Sequence, residues 1–162
     1  AALMAHQRGL QIHVLDRAGR ALKADLVRAL GGVYHGDTLP PDLQADIVIE
    51  CTGSRPLIVE VMSRSSGNGI VCLTGISSGG QSMPFDFGAF NRTMILQNDL
   101  VFGSVNANRR HYEAGATALE AADPAWLGRL LTRRVPLERW PEAFERHAGD
   151  IKTVLQFTGP SP

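Results

Sequence analysis

Asp16 follows an apolar strand read at residues 11–15, where the strand gives way to a loop. A carboxylate there can accept hydrogen bonds from two neighbouring hydroxyls, as recognition of a nucleotide ribose requires. It also repels a phosphate on the ribose 2′-oxygen, whereas Arg17 beside it can accommodate one. Thr52-Gly53 and Thr74-Gly75 close two later apolar runs, DIVIEC and GIVCLT. Small residues at such points let a flat ring and its sugar approach the backbone. A third run, LVFGS, leads into Ser104-Val105-Asn106-Ala107-Asn108. Asn pairs a donor with an acceptor, which suits a carboxamide or a sugar hydroxyl. Each feature has a plainer reading. Asp16 can form a turn or cap the next helix, glycine after a strand is ordinary turn punctuation, and Asn106 or Asn108 can be an N-cap.

The elements that would position these residues alternate along the chain. Residues 1–7 read as the later part of an apolar helix, ended by Gly9. Ala21, Leu22, Leu26, Val27 and Leu30 recur at helical spacing before Gly31-Gly32. Strands are expected at 33–35, 46–51, 69–74 and 100–104, and helices at 57–64, 85–96, 108–122 and 124–131. A Ser/Gly loop is expected at 77–82 and a Pro-rich turn at 38–42. Strands apolar on both faces and separated by helices imply a parallel sheet covered on both sides, a doubly wound α/β fold. Ligands of such folds bind at the carboxyl ends of the strands, which is where the residues above fall. The last part changes pattern: 135–137 extended, 140–147 helical, 153–157 a strand, and 159–162 loose. The chain divides on this reading into a Rossmann-like nucleotide-binding domain at 1–134 and a C-terminal segment at 135–162.

The opening AALMAHQRGLQIHVLD matches the second half of a dinucleotide-binding βαβ unit. The first strand and the Gly-rich phosphate loop would precede Ala1, so the chain reads as an N-terminally truncated piece. Without that central strand, two apolar strand edges would lack their shared partner. The fragment alone is expected to be inactive and prone to aggregate.

Composition removes other classes. Sixteen acidic residues balance sixteen Lys and Arg, which gives no electrostatic case for nucleic acid or an anionic membrane. No apolar run approaches the roughly 20 residues of a membrane span. Arg129, Arg133 and Arg134 read as a solvated face. Cys51 and Cys72 read as buried reduced thiols of a cytoplasmic protein. The five histidines lie on different elements with no two at i, i+4 spacing, and each reads as satisfied or exposed. Glu50, inside an apolar run, reads as a buried, hydrogen-bonded carboxylate. Arg109 and Arg110 oppose the dipole of the helix they begin, which hints at an anionic neighbour.

Taken together, DIVIECTG, GIVCLTGISSGG, VFGSVNANRRHYEA and DIKTVLQFTG resemble the C-terminal half of the glucose 1-dehydrogenases, members of the zinc-dependent medium-chain dehydrogenase/reductase superfamily. The resemblance covers nearly the whole chain, with SVNANRRHYE its most specific part. It implies oxidation of D-glucose at C1 to gluconolactone, with hydride passing to NAD or NADP; Asp16 favours NAD. It implies cofactor binding by Asp16 and Arg17, by Thr52 and Gly53, by Thr74, Gly75 and Ile76, and by Ser104, Val105 and Asn106. Asn106 would also contact the sugar. Catalytic zinc ligands would lie before the Gly-rich loop, so no catalytic or metal residue is expected in this chain. The segment from about Val135 would pack on the catalytic domain, and the whole enzyme would be a homo-oligomer. Two other readings stand beside this one. The first is another zinc alcohol, sorbitol or threonine dehydrogenase, which upstream zinc ligands would separate. The second is a non-catalytic nucleotide-binding module, against which the SVNAN segment argues.

Overall fold

The computed structural model describes residues 1–17, 19–80 and 82–157. The loose tail expected at 159–162, and Gln81 of the Ser/Gly loop, lie outside the described residues. In chain order the elements are α1 (Ala2–Gln7), β1 (His13–Asp16), α2 (Ala21–Ala29), β2 (Val33–Gly36), β3 (Ala45–Glu50), α3 (Arg55–Val61), β4 (Ser65–Leu73), α4 (Phe87–Gln97), β5 (Leu100–Gly103), α5 (Arg109–Glu120), α6 (Pro124–Leu130), β6 (Leu131–Pro136), a 3-10 helix (Leu137–Phe144) and β7 (Lys152–Gln156). They form two compact units. One joins Ala1–Leu39 to the described residues from Arg109 onward; the other is Pro40–Asn108.

Among the described residues every strand pairing is parallel. In the first unit β1 pairs with β2 and β6 with β7; in the second the order is β3-β4-β5. Strand β6 begins four residues before the expected 135, directly after α6, and crosses the division expected between 134 and 135.

In the first unit, Ala24, Leu26 and Val27 of α2 and Leu30 after it are buried, as are Ile12 before β1 and Ala118 of α5. Polar ties join the layers: Trp126 Nε1 donates to the Leu26 carbonyl at 3.0 Å, and Gln7 Nε2 to that of Ala118 at 2.7 Å. Helix α6 starts where Asp123 accepts from the amides of Ala125 and Trp126 at 3.0 and 3.3 Å, with Pro124 in its first turn. Val14, Asp16 and Tyr34 face a cavity of about 580 Å³ lined also by α1, α2 and α5. By strand alternation, His13, Leu15, Val33 and His35 occupy the opposite face of the pair.

In the second unit Val71 is completely buried. Strand β4 begins four residues before the expected 69, because Asp99 holds its entry: Gly69 N donates at 3.0 Å and Ser65 Oγ at 3.2 Å. The register shifts between Ala45 and Ile47, which pair with Ser65 and Ile70, and this accommodates the polar residues between. Asp86 caps α4 through Ala89 N at 2.9 Å. Ile47 and Ile49 of β3 are 54% and 48% exposed, so an apolar run did not by itself mean a covered strand.

Further expectations change. Helix was expected at 140–147, but Pro141 lacks the amide an α-helix needs, and the backbone is a 3-10 helix ending at Phe144. Both thiols are free, yet Cys51 is exposed and Cys72 half-buried. Cys51 lies one residue beyond its strand, outside the covered part of the sheet. Arg133 is not on a solvated face. It pairs with Asp150 at 2.9 Å and donates to the carbonyls of Glu142 and Glu145 at 2.7 and 2.6 Å, so it ties β6 to the 3-10 helix and to the approach to β7. Arg129 and Arg134 are exposed.

Candidate functional site

Parallel pairing brings the carboxyl ends of β3, β4 and β5 to one edge. Glu50, the last residue of β3, is 3% exposed. Its Oε1 accepts from Thr52 N at 2.7 Å, Thr52 Oγ1 at 2.5 Å and Gly53 N at 3.1 Å, and Oε2 from Gly53 N at 3.2 Å. The carboxylate thereby satisfies donors that the turn would otherwise bury unpaired. The Glu50 carbonyl receives Thr74 N at 2.8 Å, Gly75 N at 3.1 Å and Thr74 Oγ1 at 2.8 Å. Ser77 Oγ donates to the Gly53 carbonyl at 2.7 Å, and Ser104 N to that of Leu73 at 3.0 Å. The loops after β3 and β4 are therefore one cross-braced body, to which the start of the loop after β5 is joined.

The two glycines serve that bracing. A Cβ on Gly75 would lie 2.1 Å from Gly53 N, 2.6 Å from Glu50 Oε2 and 2.7 Å from Thr52 N. Gly53 has φ +69°, and a Cβ there would lie 2.5 Å from the Ile76 carbonyl oxygen. The space that sequence reading reserved for a ring is taken up by one loop's backbone against the other. What the edge offers to solvent is Thr52, Ser104 and Asn106, with Ile76 82% and Val105 74% exposed.

Asp16 and Arg17 belong to the other unit. Asp16 ends β1, and its carboxylate accepts from Lys23 Nζ at 2.7 Å and from the Arg17 amide at 2.8 Å. Burial raises its pKa, but the Lys23 and Arg17 hydrogen bonds and the charges of Lys23 and Arg20 outweigh that, leaving it below the ordinary 3.8. It is a carboxylate at neutral pH, 26% exposed. Lys23 escaped the sequence reading. Its signal was available: it stands in the first turn of the helix that follows the acid, which returns it over the strand end. Arg109 pairs with Glu113 at 2.7 Å, one turn along its own helix, with 92% of its side chain exposed, so that partner replaces the anionic neighbour its position hinted at. Among the described residues, no group of three or more His, Cys, Asp and Glu could hold a metal ion. No described helix is long and apolar enough to cross a membrane.

These elements recur in known proteins. The family model described as "Glucose dehydrogenase C-terminus" matches residues 1–157. Glucose 1-dehydrogenase 1 of Caldivirga maquilingensis is 37% identical over 147 residues, 88% of this chain and 42% of that protein. Glucose 1-dehydrogenase of Thermoproteus tenax is 38% identical over 148 residues, again 88% and 42%. The crystal structure of Haloferax mediterranei glucose dehydrogenase in complex with NADP, Zn and gluconolactone superposes with a TM-score of 0.86. It is 26% identical, over 98% of this chain and 47% of that one. The chain thus spans less than half the length of these relatives. The fold is Rossmann-like, and the chain belongs to the glucose dehydrogenase C-terminus family.

Proposed function

We propose that this chain is the nucleotide-binding part of an NAD(P)-dependent glucose 1-dehydrogenase that oxidises D-glucose at C1 to gluconolactone. Asp16 carries the reading: it is an ionised, partly exposed carboxylate at the carboxyl end of a parallel strand, able to accept from both adenosine-ribose hydroxyls. Arg17 stands beside that ribose. Thr52, Gly53, Thr74, Gly75 and Ile76 line the nicotinamide side, the glycines by fixing the edge. Ser104, Val105 and Asn106 complete it, with Asn106 also offered to the sugar. The exposed Ile76 and Val105 suit the faces of a flat ring, and the hydroxyls and carboxamide beside them suit its polar groups. The cofactor supplies the hydride acceptor. This chain's residues bind and orient it.

The relative from Haloferax mediterranei was crystallised with NADP, Zn and gluconolactone, which supports the same substrate class here. The described residues contain no set of three ligands for zinc. Asp16 favours NAD by repelling a 2′-phosphate. Lys23 and Arg20 soften that repulsion, so NADP is accepted less well rather than excluded. Residues 1–134 form the nucleotide-binding domain, 135–162 pack on the catalytic domain, and the whole enzyme is a cytoplasmic homo-oligomer.

In the complete enzyme, Asp16→Ala should weaken NAD binding about tenfold, the loss of roughly 1.4 kcal/mol of charge-assisted hydrogen bonding. NADP binding should change less, and cofactor fluorescence titration reads both. Unchanged affinity for both cofactors would remove Asp16 as the ribose reader.

A further inference from the structure

Given the proposed reading of the β1 end as the adenosine-ribose site, we infer that Tyr34 is a positioning residue for a 2′-phosphate on that ribose. Its hydroxyl holds the backbone of Arg17 and so fixes where the guanidinium can reach. Tyr34 is the second residue of β2 and lies opposite Val14 in the parallel register. Val14 and Asp16 are on one face of β1, and Tyr34 shares that face, bordering the same cavity.

Both backbone polar groups of Arg17 are held by side chains. Its amide donates to Asp16 Oδ1 at 2.8 Å, and its carbonyl accepts from the Tyr34 hydroxyl at 3.0 Å. The second bond crosses from β2 to the residue that follows β1. The Asp16 main chain is tied from the same side, its carbonyl accepting at 3.0 Å from the amide of Asp37, one residue beyond β2. Arg17 is exposed, so with its main chain pinned at both groups the side chain alone is left to adjust. A fixed anchor lowers the entropy lost when a guanidinium closes on a phosphate. Burial, and then the charge of Asp16, raise the Tyr34 pKa above the ordinary 10.0, so the hydroxyl keeps the proton it donates.

The effect is selective. Asp16 reads the ribose hydroxyls, and Lys23 and the Arg17 amide hold its carboxylate without help from Tyr34. The 2′-phosphate is the part of the cofactor that calls on the Arg17 guanidinium. Loss of the Tyr34 hydroxyl therefore touches NADP and spares NAD.

Fluorescence titration of the complete enzyme with NADP and with NAD tests this in Tyr34→Phe, Arg17→Ala and the double variant. Tyr34→Phe should weaken NADP about fivefold, within the range of one neutral hydrogen bond, and move NAD by less than about twofold. Arg17→Ala should weaken NADP about tenfold, and Tyr34→Phe added to it should do no further harm, because the hydroxyl acts through Arg17. If Arg17→Ala weakens NADP and Tyr34→Phe does not, the inference is overturned and the nucleotide reading stands. Equal losses for NAD and NADP in Tyr34→Phe also overturn it, since the hydroxyl would then serve packing alone. Additive losses in the double variant do the same. If Arg17→Ala leaves NADP binding unchanged, the reading of Arg17 fails and the inference with it.

Discussion

The two strand-end regions are held in opposite ways. At the ends of β3 and β4, a buried carboxylate and two glycines lock backbone to backbone, and the groups left for a ligand stand on a rigid rim. At the end of β1, Asp16 is held by one ion pair to a lysine that is 42% exposed. The first arrangement preorganises; the second is held by charge and can readjust.

The largest test of this contrast is Gly75→Ala. Its Cβ would collide with backbone at 2.1 Å, and neither loop can yield without breaking the Glu50 bonds. We expect destabilisation of about 3 kcal/mol or more by thermal unfolding. A change below about 0.5 kcal/mol, within the range of ordinary surface substitutions, would show the edge to be soft. Next, Glu50→Ala leaves the Thr52 and Gly53 amides without their acceptor and should cost about 2–3 kcal/mol. Glu50→Gln keeps a carbonyl oxygen and should cost about half as much. If the two variants match, the carboxylate is not what organises the turn.

The smallest effect belongs to Asp16. Its folded pKa lies below the unfolded 3.8, so its contribution is complete above 3.8 and is lost as pH falls through the lower folded value. With both partners partly exposed, that contribution is below about 1 kcal/mol. Denaturant unfolding of wild type and Asp16→Asn should differ slightly at neutral pH and converge in strong acid. A difference that persists there would mean Asp16 acts through packing rather than charge.

Much of this was legible in the residues, and the misses share a cause. Asp16 at a strand end, Glu50 as a buried hydrogen-bonded acid and the helix stops follow from periodicity and from the cost of burying charge. Cys51 and Arg133 were misread because periodicity says which face a residue takes and not what covers that face. Gly53 and Gly75 were placed correctly, but their spacing could not say whether the room they leave goes to a ligand or to each other.

The sequence by itself determined the order and type of the elements and the positions of the polar residues at the strand ends, because these rest on local preferences and short-range periodicity. Only the tertiary structure decided which strand lies beside which, and in what register. That choice drew Thr74 and Gly75 onto Glu50, and Arg133 onto Asp150. It also set His13 against His35, 22 residues away. Contacts between distant residues depend on how chain segments close on one another, and no short window of sequence records that closure.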